Sequence, residues 1–331
     1  MLYWAVIGSG DVVSRLVQSS FNIPGKSSVK YIYSKNYVEA KKISNKFKLG
    51  KAIKNTKLIL KDKQINCIYI ATPPSSHASY VKKFAKLKKN ILCEKPLALN
   101  SKDLSEIVKV CKNNKVNLMT SFYRRHLKRF KMIKNILNKK KIGKIITFRY
   151  NLIHSPESHP TAPIKIKSNK KIPWRFKRNI SGGGNFLDMG AHTIDMIAYL
   201  LGDIKKIQSI KKNYLNLYKV EDTLITNIEL KNKILGQALW SSVTDKTEDI
   251  FEIFGTKGTI KFSLNFSNKV EFIFKNKKFK KFIPFKKPFH KNLIKDVVNK
   301  FYKNLKNKKS SIEYSGINVA KHQIAVMNKN D

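Results

Sequence analysis

The sequence is poor in cysteine and contains no long apolar run. Its cysteines, Cys67, Cys93 and Cys111, are odd in number, scattered and without metal-site spacing, which fits a reducing compartment. No uninterrupted apolar run reaches the ~18 residues that a membrane span needs. The N-terminus, MLYWAVIGSG, lacks a basic region followed by a long apolar core, so no secretory signal is predicted. These absences together predict a cytoplasmic protein without membrane partners.

Acidic residues are scarce as well, since 21 Asp and Glu stand against 68 Lys and Arg, a formal net charge of +47. Such a charge raises the hypothesis of nucleic-acid binding. The lysines, however, are spread through nearly every segment, with no dense arm or tail, and they accompany abundant Asn, Ile, Phe and Tyr, as an AT-rich coding sequence would yield. Solvated lysine-rich faces are therefore favoured over a specific nucleic-acid site. The charge can still attract anionic ligands.

The length of 331 residues predicts two domains. In the first third, short apolar strands alternate with amphipathic helices, which predicts a doubly wound parallel sheet. The predicted strands are LYWAVIG (2–8), VKYIY (29–33), INCIYIA (65–71), NILCEKP (90–96) and VNLMTSF (116–122). Residues 1–121 are thus predicted to form a Rossmann domain that binds NAD(P).

The pattern changes near Phe122. A basic helix over roughly 126–140 leads into the strand KIITFRYNLIH (144–154) and an irregular segment through Trp174. Several segments with period-two alternation follow, which predicts a large, mainly antiparallel sheet. Residues 122–331 are therefore predicted to form an α+β domain for substrate binding and oligomerisation.

The stretch GSGDVV (8–13) joins the first strand to the first helix. Gly8 permits a tight turn, and Gly10 lets the backbone approach a pyrophosphate at a helix N-terminus. Val13 replaces the third glycine of the usual pattern, so a glycine-rich turn of an unrelated fold is the alternative. The position directly after the first strand favours the dinucleotide interpretation.

The second strand ends without the acidic residue that usually binds a free ribose 2′-hydroxyl. Ser34 and Lys35 stand there instead, which suits a 2′-phosphate. We therefore expect NADP(H) to be preferred and NAD(H) to remain possible. The alternative is that Lys35 is one more surface lysine.

Two further motifs contain candidate catalytic side chains. In CEKP (93–96), Lys95 stands at the carboxyl end of a parallel strand, where open sheets bind ligands, and Pro96 fixes the backbone, with a cis bond as one option. In SGGGNFLDMGAHTID (181–195), Asp188 and His192 are four apart and are predicted to share one helix face, with Asp195 one turn beyond. A structural pair, or two metal ligands without an evident third, are the alternatives for Asp188 and His192.

In combination, these motifs resemble the Gfo/Idh/MocA oxidoreductases, the family of glucose–fructose oxidoreductase and inositol dehydrogenase. The matching pieces, in family order and spacing, are GSGDVV, IATPPSSH, CEKPLAL, SFYRR, IPWR and SGGGNFLDMGAHTID. The departures are Val13 and the missing acid after the second strand. The resemblance implies hydride transfer between a nicotinamide and a secondary alcohol or ketone carbon of a sugar, cyclitol or dihydrodiol. A catalytically silent dinucleotide-binding regulator and a basic nucleic-acid-binding protein are the alternative functions.

The resemblance also assigns residues. Lys95, His192 and Asp188 are the implied catalytic residues, no metal is expected, and Arg124 or Arg125 is expected to face the substrate. The glycines 182–184 are expected to let the backbone approach the ligand. The expected cofactor-binding residues are Gly8, Ser9, Gly10, Asp11, Val12, Ser34, Lys35, Ala71, Thr72, Pro73, His77, Glu94, Lys95, Trp174 and Arg175.

A homodimer or homotetramer is expected to form through the second sheet. The alternation over 222–283 would otherwise expose apolar side chains over a large area. The side chains expected on that face are Leu239, Phe251, Phe254 and Phe262.

Overall fold

The computed structural model describes residues 1–14, 20–156, 172–184, 186–267, 269–274, 277–284, 294–307 and 312–328, with the backbone alone for 277–284. The chain divides into two compact units, one formed by Met1–Tyr123 with Pro288–Lys321 and the other by Arg124–Lys287 with His322–Asp331. The predicted division assigned all of 122–331 to the second domain, so it differs from the structure in the segment 288–321.

The strands of the first unit are β1 (Leu2–Ile7), β2 (Ser27–Tyr33), β3 (Lys51–Ile53), β4 (Cys67–Ile70), β5 (Asn90–Cys93) and β6 (Leu118–Thr120). They form one parallel sheet in the order β3-β2-β1-β4-β5-β6. The strand order reverses between β1 and β4, and the carboxyl ends of strands at such a reversal are where open sheets bind ligands. The predicted doubly wound sheet is confirmed.

The α-helices, in chain order, are α1 (Tyr37–Phe47), α2 (Lys57–Lys61), α3 (His77–Ala85), α4 (Ser101–Asn113), α5 (Lys128–Asn138), α6 (Arg178–Ser181), α7 (Ala191–Leu201), α8 (Lys295–Lys306) and α9 (Tyr314–Asn328). Asn36 and Asn100 cap α1 and α4 with their side chains, because each accepts a hydrogen bond from the amide three residues on. Residues 15–19, most of the predicted first helix, lie outside the described residues.

The core of the first unit is built around Trp4, which is fully buried in β1. Its ring meets Phe21 edge-on at 4.8 Å and Phe301 of α8 at 5.4 Å. Val297 and Val298 of the same helix are also fully buried in this core. This apolar face places α8 with the first unit, and the contact joins residues almost 300 positions apart, which local sequence patterns do not reveal.

The second unit contains the strands β7 (Ile145–Ile153), β8 (Ile204–Lys212), β9 (Thr223–Leu230), β10 (Leu235–Ser241), β11 (Glu248–Gly255), β12 (Gly258–Phe262), β13 (Lys269–Phe274) and β14 (Lys277–Pro284). They form a sheet in the order β14-β13-β12-β11-β7-β10-β9-β8. Only β7 and β10 pair in parallel among these strands. The predicted mainly antiparallel sheet is confirmed.

One face of this sheet is covered and the other is open. Tyr150, Trp240 and Phe251 are almost fully buried on the covered face, where Phe186 packs edge-on against Trp240 at 5.0 Å. The open face carries exposed apolar side chains, among them Ile210 and Ile225.

The prediction for the open face was wrong at two positions. Phe251 and Phe262 are 0% and 3% exposed and stack on each other at 5.0 Å on the covered face. Side chains alternate along a strand, so Phe251 and Phe254 cannot share a face. Leu239 and Phe254 are half-buried and point to the open side, as predicted.

None of the described helices combines the length and apolar character that a membrane span requires. The described residues also contain no group of three or more His, Cys, Asp or Glu side chains that could hold a metal ion.

Candidate active site

The turn after β1 brings three strand ends together. The Gly8 amide donates to the Tyr33 carbonyl at the end of β2 at 2.7 Å, and the Ala71 amide donates to the Ile7 carbonyl at 2.8 Å. Gly8 has a φ of +116°, and a Cβ there would lie 2.4 Å from the Ala71 carbonyl oxygen. Glycine is therefore required at this position by the packing of the sheet itself.

Gly10 is different, because a Cβ built there meets nothing within 4 Å. Internal packing gives no reason for glycine, whereas a ligand that approaches the backbone would need this open space. The amides of Val13 and Ser14 turn back to the Gly10 carbonyl at 2.9 and 3.2 Å, so a helical turn begins here, at Asp11 and Val12. Val13 is fully buried in the core. The residues of this turn thus fit a dinucleotide pyrophosphate.

Ser34 and Lys35 follow β2 beside this turn. The Ser9 hydroxyl donates to the Ser34 hydroxyl at 2.8 Å, and the Asn36 amide also donates to it at 3.2 Å. Lys35 is exposed to solvent. The hydroxyl and the cation occupy the positions where an acid would favour a free ribose.

The loop after β4 carries Ala71, Thr72 and Pro73. His77, at the start of α3, lies behind this loop with its ring nitrogens 2.9 Å from the Thr72 carbonyl and 2.9 Å from the Pro96 carbonyl. The side chain is fully buried, and burial lowers the pKa of His77. Its ring therefore links two loops and presents no exposed atom to a cofactor, which differs from the predicted role.

Glu94 and Lys95 follow β5. The Tyr69 hydroxyl donates to Oε1 of Glu94 at 2.6 Å, and the buried position raises the pKa of the Glu94 carboxyl. Lys95 is half-buried, and the Lys95–Pro96 peptide bond is cis, the form that the sequence analysis considered. Glu94 is thus a buried support for the turn, and Lys95 stands at the carboxyl end of the strand as predicted.

Trp174 and Arg175 belong to the second unit, in the 3₁₀ turn Trp174–Phe176. The Arg175 guanidinium lies 4.6 Å from the centre of the Trp174 ring. Its Nε is 3.5 Å from Oδ2 of Asp188. The structure thus brings three of the predicted site residues together within this unit.

Asp188 and His192 do not lie in one regular α-helix. Asp188 is in the π-helical turn Phe186–Gly190, and His192 is in α7 directly after it. A Cβ at Gly190 would lie 2.5 Å from the Phe186 ring, so this ring occupies the space inside the turn. The predicted stacking on one α-helical face is corrected accordingly. The His192 side chain is buried, whereas that of Asp188 is about one-third exposed, at 35%.

The glycines before this turn have a different cause from the one predicted. A Cβ at Gly184 would lie 2.1 Å from the Glu221 carbonyl oxygen, and one at Gly183 would lie 2.6 Å from the Met327 Cε. The glycine run therefore makes room for other parts of the second unit. The close approach that these glycines permit is to Glu221 and Met327 of the protein itself.

At least one of Arg124 and Arg125 was expected to face the substrate, but both have internal partners. Arg124 donates to the Leu264 carbonyl and to Oδ1 of Asn265. Arg125 forms an ion pair with the buried Asp195 at 2.6 Å, where the sequence analysis saw only a residue one turn beyond His192. Both guanidiniums are therefore engaged in holding the second unit together.

Glu221 belongs to none of the motifs that indicated the site. Its Oε1 accepts a hydrogen bond from the Gly184 amide at 2.8 Å, and burial raises the pKa of the Glu221 carboxyl to about 7. The only signal in the sequence was an acidic pair, Glu221-Asp222, at the start of the alternating region 222–283.

Two family models cover most of the chain. Residues 2–122 match the model of the oxidoreductase family with an NAD-binding Rossmann fold, and residues 130–261 match the Gfo/Idh/MocA C-terminal domain. The chain belongs to the Gfo/Idh/MocA oxidoreductase family. The resemblance seen in the sequence motifs is confirmed.

Individual members of the family are distant. An oxidoreductase from Formosa agariphila, P35, is 27% identical over 262 residues, 78% of each chain. A levoglucosan dehydrogenase in complex with NADH and levoglucosan has a similar fold, with a TM-score of 0.80, 22% identity and coverage of 98% of this chain and 96% of the other. A 3-ketoreductase from Actinomadura kijaniata, in complex with NADP and TDP-benzene, gives a TM-score of 0.80 at 17% identity, with coverage of 98% and 96%.

The Arg125–Asp195 pair yields a stability prediction. Arg125→Met leaves the buried Asp195 carboxylate without its cation, so the free energy of unfolding is expected to fall by ~3–5 kcal/mol. Urea denaturation of the purified protein measures it.

Lys231→Met is the matched control, because its partner Asp203 is exposed and the loss is expected to stay below about 1 kcal/mol. The double variant Arg125→Met/Asp195→Leu should recover much of the loss. A single Arg125→Met variant as stable as the wild type would contradict a structural role for this arginine.

Proposed function

We propose that this protein is an NAD(P)-dependent dehydrogenase or reductase acting on a secondary alcohol or ketone carbon of a sugar, cyclitol or dihydrodiol. The family assignment supports the oxidoreductase class, and levoglucosan, an anhydrosugar, is bound to one protein of similar fold. The observation that carries the proposal is the position of Lys95, directly after β5 in a sheet whose strand reversal favours ligand binding at that edge.

Oxidation of a secondary alcohol removes a hydride from carbon and a proton from the hydroxyl, which leaves a carbonyl. A nicotinamide, when bound, exchanges the hydride. In our proposal His192 takes the hydroxyl proton, since imidazole is suited to proton transfer near neutral pH. Lys95 donates a hydrogen bond to the same oxygen and stabilises its developing negative charge.

Asp188 is proposed to orient the reacting groups from the side of Arg175. Its Oδ2 lies 3.5 Å from Nε of Arg175, so the guanidinium holds the carboxylate on that side. Trp174 is 36% exposed, an unusual exposure for a tryptophan, and is available to a ligand ring. We propose that Trp174 and Arg175 lie near the nicotinamide end of the cofactor.

Removal of either proposed catalytic group should spare cofactor binding and abolish turnover. Lys95→Ala and His192→Ala are each expected to lower kcat by ~10²–10⁴, the scale for loss of one acid–base or oxyanion partner. Asp188→Asn should have a smaller effect, because the carboxylate only orients. Stopped-flow hydride transfer, with levoglucosan, cyclitols, dihydrodiols and keto sugars as the substrate panel, measures these changes.

Lys102→Ala removes an exposed lysine from the first unit and is the control for loss of one positive charge. Melting curves on the same samples separate a catalytic effect from unfolding. A folded His192→Ala protein with normal hydride transfer would remove this histidine from the mechanism. A wild type that binds cofactor but reduces or oxidises nothing in the panel would instead indicate a silent regulator.

We propose that NADP(H) is preferred over NAD(H). Ser34 and Lys35 follow β2, and the Ser34 hydroxyl is already held by Ser9 from the glycine turn. A hydroxyl and a cation suit a 2′-phosphate, whereas an acid would repel it.

Lys35→Ala is expected to weaken NADPH binding about tenfold or more, the scale of a hydrogen bond to a charged group, and to leave NADH binding unchanged. Ser34→Asp should reverse the preference. Fluorescence titration of both cofactors measures the dissociation constants, with Lys42→Ala on the exposed side of α1 as the control. Equal affinities of the wild type for both cofactors would rule out the proposed preference.

We propose that two copies of the chain pair through the open face of the second sheet. Ile210, Ile225 and Leu235 are 70%, 48% and 60% exposed on this face, and Arg149 and Glu252 form an ion pair on it. Apolar side chains around a polar centre are typical of a surface that another chain covers.

Ile225→Glu should dissociate the assembly, because it places a charge in the middle of the apolar surface. Sedimentation at micromolar concentration is expected to give a multiple of 38.2 kDa for the wild type and a monomer for the variant. Val38→Glu, on an exposed position of α1, controls for an added carboxylate. A monomeric wild type would refute the interface.

We also propose a cytoplasmic location and no specific nucleic-acid partner. Cys67, Cys93 and Cys111 are buried free thiols, which is compatible with a reducing compartment.

A further inference from the structure

The loop between β8 and β9, residues 213–222, has a shape that its own hydrogen bonds fix. Oδ2 of Asp222 accepts from the amides of Tyr214 and Leu215 at 2.8 and 2.9 Å, and the Asn213 side chain donates to the Tyr218 carbonyl. Bonds of this kind order a loop without any ligand. We call residues 213–222 the support loop.

The support loop holds the segment Trp174–Gly184 at two points. The Tyr218 ring stacks on the Phe176 ring at 4.6 Å, next to Arg175. At the other end, Oε1 of Glu221 accepts from the Gly184 amide at 2.8 Å, and the Phe186 amide donates to the same carboxyl group. The loop therefore binds both ends of the stretch that leads from Arg175 to Asp188.

The backbone at Gly184 passes too close to Glu221 to leave room for a side chain. A Cβ at this position would lie 2.1 Å from the Glu221 carbonyl oxygen. The carboxylate and the backbone of Glu221 thus both face the glycine. Phe186 starts the π-helical turn that carries Asp188, and α7 with His192 follows directly.

The charges around Glu221 are mainly positive. The cleft that it borders is also lined by Arg178 of α6, Lys211 and Lys212 of β8 and Lys219 of the support loop. The acidic Asp222 follows Glu221 in the chain. Glu221 itself is 7% exposed. Cations and amide donors favour the carboxylate form, and burial opposes it.

We propose that Glu221 is a positioning residue for the reaction: its carboxylate fixes the Gly184 and Phe186 amides and thereby the placement of Asp188 and His192. The proposal rests on the proposed function of these two residues. A displacement of about 1 Å at a reacting group can lower a rate by ~10², so the anchor has a measurable effect on turnover.

The carboxylate is costly to keep in this position, which distinguishes positioning from simple stabilisation. Its pKa is raised in the folded protein, so the folded state binds a proton between about pH 4.5 and 7 that the unfolded state does not. Stability therefore falls as the pH rises through this window. An uncharged amide at this position avoids the cost, so Glu221→Gln should not lower the melting temperature at pH 8.

The test compares Glu221→Gln with Asp62→Asn. Asp62 is a largely buried carboxylate, 15% exposed, that also accepts from a backbone amide, that of Gln64, and pairs with Lys30. It belongs to the first unit and precedes the amino end of β4, opposite the strand ends that carry Lys95. Glu221→Gln is expected to lower kcat ~10–100-fold with NADPH affinity unchanged and with faster hydrogen exchange of the amides of 183–187. Asp62→Asn should lower the melting temperature and leave kcat per folded molecule within about twofold, since its hydrogen bonds are to Lys30, Tyr31 and Gln64.

Hydrogen exchange requires no substrate, so it tests the anchor even where the wild type proves inactive and the proposed function fails. Glu221→Asp, which keeps the charge but shortens the side chain, is the second variant and should show the same two changes if Glu221→Gln does not fold. Normal exchange at 183–187, or normal kcat in folded Glu221→Gln, would overturn the proposal. Loss of kcat only in proportion to lost folded protein would overturn it as well.

Discussion

The residues proposed to bind the dinucleotide depend for their placement on the close approach of Gly8 to the end of β4. The Gly8 amide bonds to the end of β2, and its Cα faces the Ala71 carbonyl at a distance that no side chain permits. Gly10, Ser34 and Thr72 extend from these same three strand ends. A side chain at Gly8 would therefore move all of them at once, whereas a Cβ at Gly10 would meet no described atom within 4 Å.

In the second unit, a close backbone approach involves a charged group. Gly184 again provides a close backbone approach, but here the partner is a carboxylate that receives amide hydrogen bonds. The close approach at Gly8 involves only backbone atoms of Tyr33 and Ala71, so this contact contains no charged or titratable group. The contact at Gly184 leaves an ionisable group with a pKa of about 7 behind the segment that carries Asp188. Both contacts fix the backbone closely, and the one at Gly184 also depends on the protonation state of Glu221.

Local patterns predicted the strands, the motifs and the family, because apolar runs and glycine turns leave a signal in neighbouring residues. Residues that interact across a long sequence separation leave no such signal in their neighbours. Arg125 and Asp195 are 70 residues apart, and no pattern in the sequence around either residue indicates their ion pair. His77 likewise looked like a ligand residue until its two carbonyl neighbours were visible. The placement of Phe251 and Phe262 on the open face was an avoidable error. Strand alternation alone assigns Phe251 and Phe254 to opposite faces of the sheet.

The net charge of +47 is compatible with an ordinary enzyme interior, because several of the few acidic residues are buried and hydrogen-bonded there. Asp195, Glu221 and Asp249 are buried, and each accepts from defined N–H donors. Their interactions act over hydrogen-bond distances, whereas exposed charges are screened beyond ~10 Å at 0.1 M salt. The lysine excess therefore leaves these internal contacts largely unaffected. Its effect is on the surrounding field, which draws anions such as a dinucleotide phosphate towards the protein.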